Sequence, residues 1–220
     1  MAQLTALGRI CVSVAAADAA ACIAALAGIE CAEIRLDAMQ VSQAEIRRIF
    51  ASPARLVATC RPGSLAPSER TARLVTAIES GAAYVDVELD APPVLLEPVL
   101  AAARSTGCQV IVSFHDFATT PAAAELASIR DRCLDQGGDW AKLATTVRHR
   151  RDAARLLGLL DGEGRTIVVG MGPMGRVVRV AALLCGSPLT YASLAAGYET
   201  APGQLTRQQL EHLLQELSDG

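Results

Sequence analysis

Cys31-Ala32-Glu33-Ile34-Arg35-Leu36-Asp37 alternates between two chemistries. Successive side chains of an extended strand point to opposite faces, so Ala32, Ile34 and Leu36 share one face and Glu33, Arg35 and Asp37 the other. The same split recurs downstream. Val85, Val87 and Leu89 oppose Tyr84, Asp86 and Glu88, and Val110, Val112 and Phe114 oppose Gln109, Ile111, Ser113 and His115. Outward from these three segments, strand-like runs lie at 9–14, 31–37, 56–61, 84–89, 109–114, 140–146, 166–170 and 189–194, eight in all, and alanine- and leucine-rich helical stretches separate them. Some helices carry start signals: Ser42 before Gln43-Ala44-Glu45 reads as a capping box, and Thr120-Pro121 places proline at a first helical position. Eight β-then-α units with short joints predict an α/β chain closed as a (β/α)8 TIM barrel, a single domain over residues 1–220. A doubly wound open sheet is the alternative, though it more often has five or six strands. In a barrel the apolar strand faces turn to the helices. Glu33, Arg35, Asp86, Glu88, His115 and Lys142 then converge in the lumen.

Buried charges are costly unless paired, so such a convergence points to an active site, with structural ion pairs (Arg35 with Glu33 or Glu88) as the plain alternative. Lys142 adds weight. Of the twenty basic residues nineteen are arginine, and the only lysine sits in the apolar run Trp140-Ala141-Lys142-Leu143-Ala144. Arginine keeps its proton near neutral pH and cannot condense with a ketone, whereas lysine can, above all where apolar surroundings disfavour the ammonium. Compositional chance with a snorkelling side chain is the competing reading. His115 ends its strand just before the turn-like Asp116, the end where barrel enzymes keep their chemistry. His149 and His212 fall on polar helix segments and are expected to be solvated.

Composition narrows the rest. The chain has 220 residues, is 51% hydrophobic and carries a net charge of -3, with its arginines scattered, so no nucleic-acid partner is expected. Its seven cysteines form no C-x-x-C pair and no ligand-like group with the three histidines, which predicts no metal site and a reducing cytoplasmic setting. The alanine-rich Val14–Ala20 follows no basic leader and is interrupted by Asp18, so it reads as mature protein; no apolar run is long enough to predict a membrane span. Gly170-Met171-Gly172-Pro173-Met174-Gly175 fits G-x-G-x-x-G, the dinucleotide fingerprint, but follows the seventh strand instead of the first, and its proline removes a phosphate-facing N–H. These glycines are expected to shape the seventh barrel loop.

Glu33-Ile34-Arg35-Leu36-Asp37, Thr59-Cys60-Arg61, Tyr84–Leu89, Ser113-Phe114-His115-Asp116-Phe117, Ala141-Lys142-Leu143-Ala144, Met171-Gly172 with Gly175 and Arg179, and Thr200-Ala201-Pro202-Gly203-Gln204 occur in this order, and together the chain resembles type I 3-dehydroquinate dehydratase over nearly its whole length. The resemblance implies a lyase of the shikimate or quinate pathway that turns 3-dehydroquinate into 3-dehydroshikimate without metal or other cofactor, as a homodimer. It assigns Lys142 as the Schiff-base nucleophile and His115 as general base and acid. Arg179 would hold the substrate carboxylate, and Glu33, Arg35, Thr200 and Gln204 would bind ring hydroxyls, with Ser13 and Arg61 as further binding candidates. One departure stands out. The family pattern has, four residues after the third-strand arginine, a Glu-Gly-Gly whose glutamate orients the histidine; here Leu65 occupies that place in a loop that looks shortened. Glu69 either substitutes for it or begins the next helix near a Ser68 cap. A class I aldolase and a catalytically silent barrel are the rival readings.

Overall fold

The computed structural model describes residues 9–160 and 164–218. Strands β1 (Ile10–Val14), β2 (Cys31–Arg35), β3 (Arg55–Thr59), β4 (Tyr84–Glu88), β5 (Gln109–Asp116), β6 (Trp140–Thr146), β7 (Thr166–Met171) and β8 (Thr190–Ser193) alternate with helices. The helices are α1 (Ala19–Ala25), α2 (Gln43–Phe50), α3 (Pro67–Glu79), α4 (Pro93–Thr106), α5 (Ala123–Asp135), α6 (Arg150–Leu157), α7 (Arg176–Leu184) and α8 (Arg207–Ser218). All pairings are parallel, in the order β7-β6-β5-β4-β3-β2-β1-β8, and β7 lies alongside β8, so the sheet curls into a nearly closed (β/α)8 barrel. Among the described residues no helix is long and apolar enough to cross a membrane.

The period-2 alternation sorts the core into two parts. Outward-facing Val12, Ala32, Ile34, Leu56, Val85, Val87, Val112, Leu143 and Val168 pack against the apolar stripes of the helices. Inward-facing Cys11, Cys31, Val57, Ile111, Ile167 and Leu189 fill the middle of the barrel. Tyr84 and Trp140 close it at the amino-terminal end, where Arg55 Nη1 donates to the Tyr84 hydroxyl at 3.3 Å. This apolar plug makes the barrel a floor instead of a pore, and it leaves the polar inward residues, two positions further along each strand, at the carboxyl-terminal mouth.

Some boundaries differ from the sequence expectation for identifiable reasons. β2 stops at Arg35, and Leu36–Ala38 form a 3₁₀ turn tied down by the Arg73 guanidinium, which donates to the carbonyls of Leu36 (2.6 Å) and Met39 (3.0 Å). Ser42 caps α2 in the expected box with Glu45. Thr120-Pro121 does not start a helix: α5 begins at Ala123, and the Thr120 hydroxyl is tethered to Thr145 Oγ1 and the Thr146 carbonyl, both at 2.8 Å. Ser68 is not a cap either. Pro67 takes the first helical position of α3, so Ala66 is the cap residue and Glu69 sits at the third position.

Candidate active site

Asp86 is the hub of the mouth. It comes from β4 with 1% of its surface exposed. Its Oδ2 accepts from Lys142 Nζ at 2.8 Å, and its Oδ1 accepts from Arg61 Nη1 at 2.7 Å and from Ser113 Oγ at 2.6 Å. Burial alone would raise this carboxyl, but the charges of Arg61 and Lys142 outweigh it and hold Asp86 well below the usual carboxylate range. Glu33, two strands away on β2, lies 3.5 Å from Lys142 Nζ and 3.7 Å from Arg61 Nη2, and it accepts from Thr59 Oγ1 at 3.1 Å and Ser13 Oγ at 2.9 Å. It too is lowered, with Lys142 and then Arg61 overcoming the cost of burial.

Lys142 is 4% exposed, so it does not snorkel to the surface. Its own strand is apolar, as the sequence reads, yet the lumen around its ammonium is not: Asp86 and Glu33 flank it, and it lies 4.1 Å from the centroid of the Tyr191 ring. The expected apolar sleeve is therefore replaced by ion pairs. His115 lies on the adjacent strand, two residues beyond Ser113, which pairs with Lys142 in the β5–β6 register. Its ring stacks on Phe117, with centroids 6.0 Å apart and planes 12° apart. Burial, then the charges of Arg61 and Lys142, push the His115 imidazole down to about 2. At neutral pH it is a neutral ring.

Arg61 spans the network, contacting Asp86, Glu88 (2.9 Å) and Ser113 (3.0 Å) through Nη1, while its backbone N–H donates to Asp37. Arg35 forms a two-pronged pair with Asp37 at 3.0 and 2.7 Å, not with Glu33 or Glu88. Arg179 is fully buried, not an ordinary helix-surface arginine. Its Nη1 donates to the Tyr191 carbonyl at 3.0 Å, whereas Nε and Nη2 are buried without a partner among the described residues. Burial lowers its guanidinium to about 10, so it remains a cation at neutral pH.

The loop after β8 arrives through a glycine contact. Gly203 has φ +73°, and a Cβ there would stand 2.2 Å from the Gly172 carbonyl oxygen. Gly172 N–H donates to the Pro202 carbonyl at 2.9 Å, which knits this loop to the turn after β7. A β-carbon at either Gly170 or Gly175 would collide with the other residue's backbone, so the glycines of the G-x-G-x-x-G string shape the turn. The result places Gln204 Nε2 at 3.3 Å from Ser13 Oγ, while Gln204 Oε1 accepts from the Thr200 backbone N–H at 2.8 Å.

Ser13, Glu33, Arg35, Arg61, His115, Lys142, Arg179, Thr200 and Gln204 thus line one cavity of about 590 Å³. Glu88 lines it too, and Asp86 lies against it through Lys142 and Arg61. Glu69 does not reach it: half exposed, it pairs with Arg73 one helical turn away at 2.8 Å. Leu65 packs against the apolar core. Sequence reasoning missed Tyr191, masked within an apolar strand, and Arg70 of α3, which donates to Glu88 Oε2 at 2.7 Å. His149 and His212 are exposed, as expected; His149 is the residue immediately before α6.

Residues 10–220 match the family described as Type I 3-dehydroquinase. The chain belongs to that family. Among its curated relatives, a 3-dehydroquinate dehydratase of Methanothermobacter thermautotrophicus is 36% identical over 203 residues, covering 86% of this chain and 88% of that one. A 3-dehydroquinate dehydratase of Methanopyrus kandleri is 39% identical over 167 residues, 73% of each. The crystal structure of 3-dehydroquinate dehydratase from Geobacillus kaustophilus superposes with a TM-score of 0.84 at 23% identity, covering 96% of this chain and 91% of that one, and shares its fold.

Proposed function

We propose that this protein is a 3-dehydroquinate dehydratase that works through a Schiff base on Lys142, with His115 as general base and then general acid. The observation that carries the reading is the meeting in one cavity of the chain's only lysine, a neutral histidine and a buried arginine with two unpartnered donors. Family membership supplies the substrate class.

The Lys142 amine, once it has lost its ammonium proton, adds to the C3 ketone and expels water, giving an iminium. The iminium withdraws electrons and acidifies the adjacent C2–H. His115 accepts that proton, and the electron pair enters the C2–C3 bond as an enamine. Collapse of the enamine breaks the C1–O bond as His115 returns its proton to the departing hydroxyl, which leaves as water. Hydrolysis of the remaining iminium frees 3-dehydroshikimate and Lys142, for a net loss of one water. Arg179 Nε and Nη2 hold the substrate carboxylate by charge-assisted hydrogen bonds, worth more in a buried setting than in water. Ser13, Glu33, Arg35, Arg61, Thr200 and Gln204 carry the donors and acceptors for ring hydroxyls. Asp86, bonded to both Lys142 and Arg61, fixes where the amine meets the ketone.

Incubation with 3-dehydroquinate tests the reading through the absorbance of the conjugated enone. Turnover is expected from the wild type, and His115→Ala should lose roughly two to four decades in rate, the span of a positioned acid–base group. No enone from the wild type, or unchanged turnover in His115→Ala, contradicts it.

A further inference from the structure

Arg70 is 5% exposed, and its guanidinium points to the mouth of the barrel. Its Nε donates to the Cys60 carbonyl at 2.8 Å, and its Nη2 donates to Glu88 Oε2 at 2.7 Å. The other oxygen of Glu88 accepts from Arg61 at 2.9 Å, and Arg61 in turn holds Asp86, the carboxylate bonded to Lys142. Only five residues separate Arg61 from the start of α3, and this short loop brings the first turn of the helix over the ends of β3 and β4. From there Arg70 reaches Glu88.

We infer that Arg70 is a positioning residue for the Schiff-base lysine, a role that rests on the function proposed above. The network contains three carboxylates (Glu33, Asp86 and Glu88) and three cations (Lys142, Arg61 and Arg70). Arg70 shares the charge of Glu88 from its outer oxygen, so Arg61, bonded to the other oxygen, keeps its hold on Asp86. Without it, Glu88 competes for Arg61, Asp86 loses part of its counter-charge, and the field at Lys142 becomes more negative. Lys142 is faced by Glu33 from β2, Asp86 from β4, His115 from β5, Tyr191 from β8 and Cys11 from β1, with Arg61 at the end of β3. An added net negative charge among these groups favours the ammonium over the amine that attacks the ketone.

The test is the pH dependence of borohydride trapping with 3-dehydroquinate, read beside kcat/KM. Arg70→Gln keeps a donor for the Cys60 carbonyl and removes the charge, so the pH of half-maximal trapping should rise by about half a unit or more, the effect of one charge in a partly screened interior. Arg70→Lys should restore the wild-type profile. Glu88→Gln should move it the opposite way, and the double exchange Arg70→Gln with Glu88→Gln should bring it back. Arg73→Gln is the control, since Arg73 also anchors α3 to buried carbonyls but contacts none of the six charged groups. An unshifted Arg70→Gln in a trappable protein, or an equal shift in Arg73→Gln, overturns the role of Arg70 and leaves the Schiff-base reading standing. If Arg70→Gln does not fold, Glu88→Gln alone decides, and an unshifted or upward-shifted profile overturns the role. A wild type that neither turns over nor traps overturns both.

Discussion

Among the described residues no carboxylate hydrogen-bonds His115, and Asp86 acts on it only through its charge. The neighbours of the ring are Phe117 on one face and cationic groups across the cavity, and burial followed by the charges of Arg61 and Lys142 holds the imidazole at about 2 against an ordinary 6.5. The unfolded chain therefore binds more protons than the folded one between those two values. The stability contributed by a neutral His115 is complete above about pH 6.5 and is lost as pH falls below it. Asp86, also held low, adds loss in the same direction only further down, below its ordinary 3.8. Melting curves of wild type and His115→Gln from about pH 7 to about pH 4 should diverge, the wild type losing Tm more steeply because the variant has no buried ring to protonate. Parallel curves contradict the neutral buried imidazole. His115 and Lys142 were legible in the sequence because period-2 alternation fixes the face and strand position fixes the depth. Arg70 was not, since one arginine among nineteen on a helix carries no signal until the loop before it is folded.

At the scale of elements, strand existence was readable throughout, and helix starts were readable where local chemistry acts alone. Ser42 and Glu45 satisfy each other without outside help, so their box survives in the fold. Thr120 is drawn instead to the end of β6, a partner distant in sequence, and the predicted helix start is lost. The β3–α3 connection shows the same limit. Its missing Glu-Gly-Gly is plain in the sequence, but whether Glu69 substitutes depends on where α3 begins. Pro67 sets that start and turns Glu69 along the helix toward Arg73. Glu69→Gln should therefore leave kcat and its pH profile unchanged and cost no more than about 0.5 kcal/mol, the worth of a half-exposed pair one turn apart. A large loss of kcat at unchanged stability would place a carboxylate behind His115 after all.

Across the whole molecule, one barrel divides its interior into an apolar floor and a charged mouth. Cys11, Cys31, Val57, Ile111, Ile167 and Leu189 form the floor that keeps water from entering below, so the ion pairs above it are screened only from the cavity side. Desolvating this many charges is costly, and breaking one pair leaves its partner uncompensated. A fold with no use for these groups would do as well with apolar residues at the same positions. The central claim is that the cost serves a covalent bond at Lys142. Borohydride reduction in the presence of 3-dehydroquinate, followed by peptide mass analysis, tests it directly. One ligand mass is expected on the peptide carrying Lys142 and nowhere else, and none on Lys142→Arg, whose guanidinium keeps the charge but cannot form the iminium. Turnover by the wild type with no adduct on Lys142, or an adduct on the Arg variant, would contradict the account.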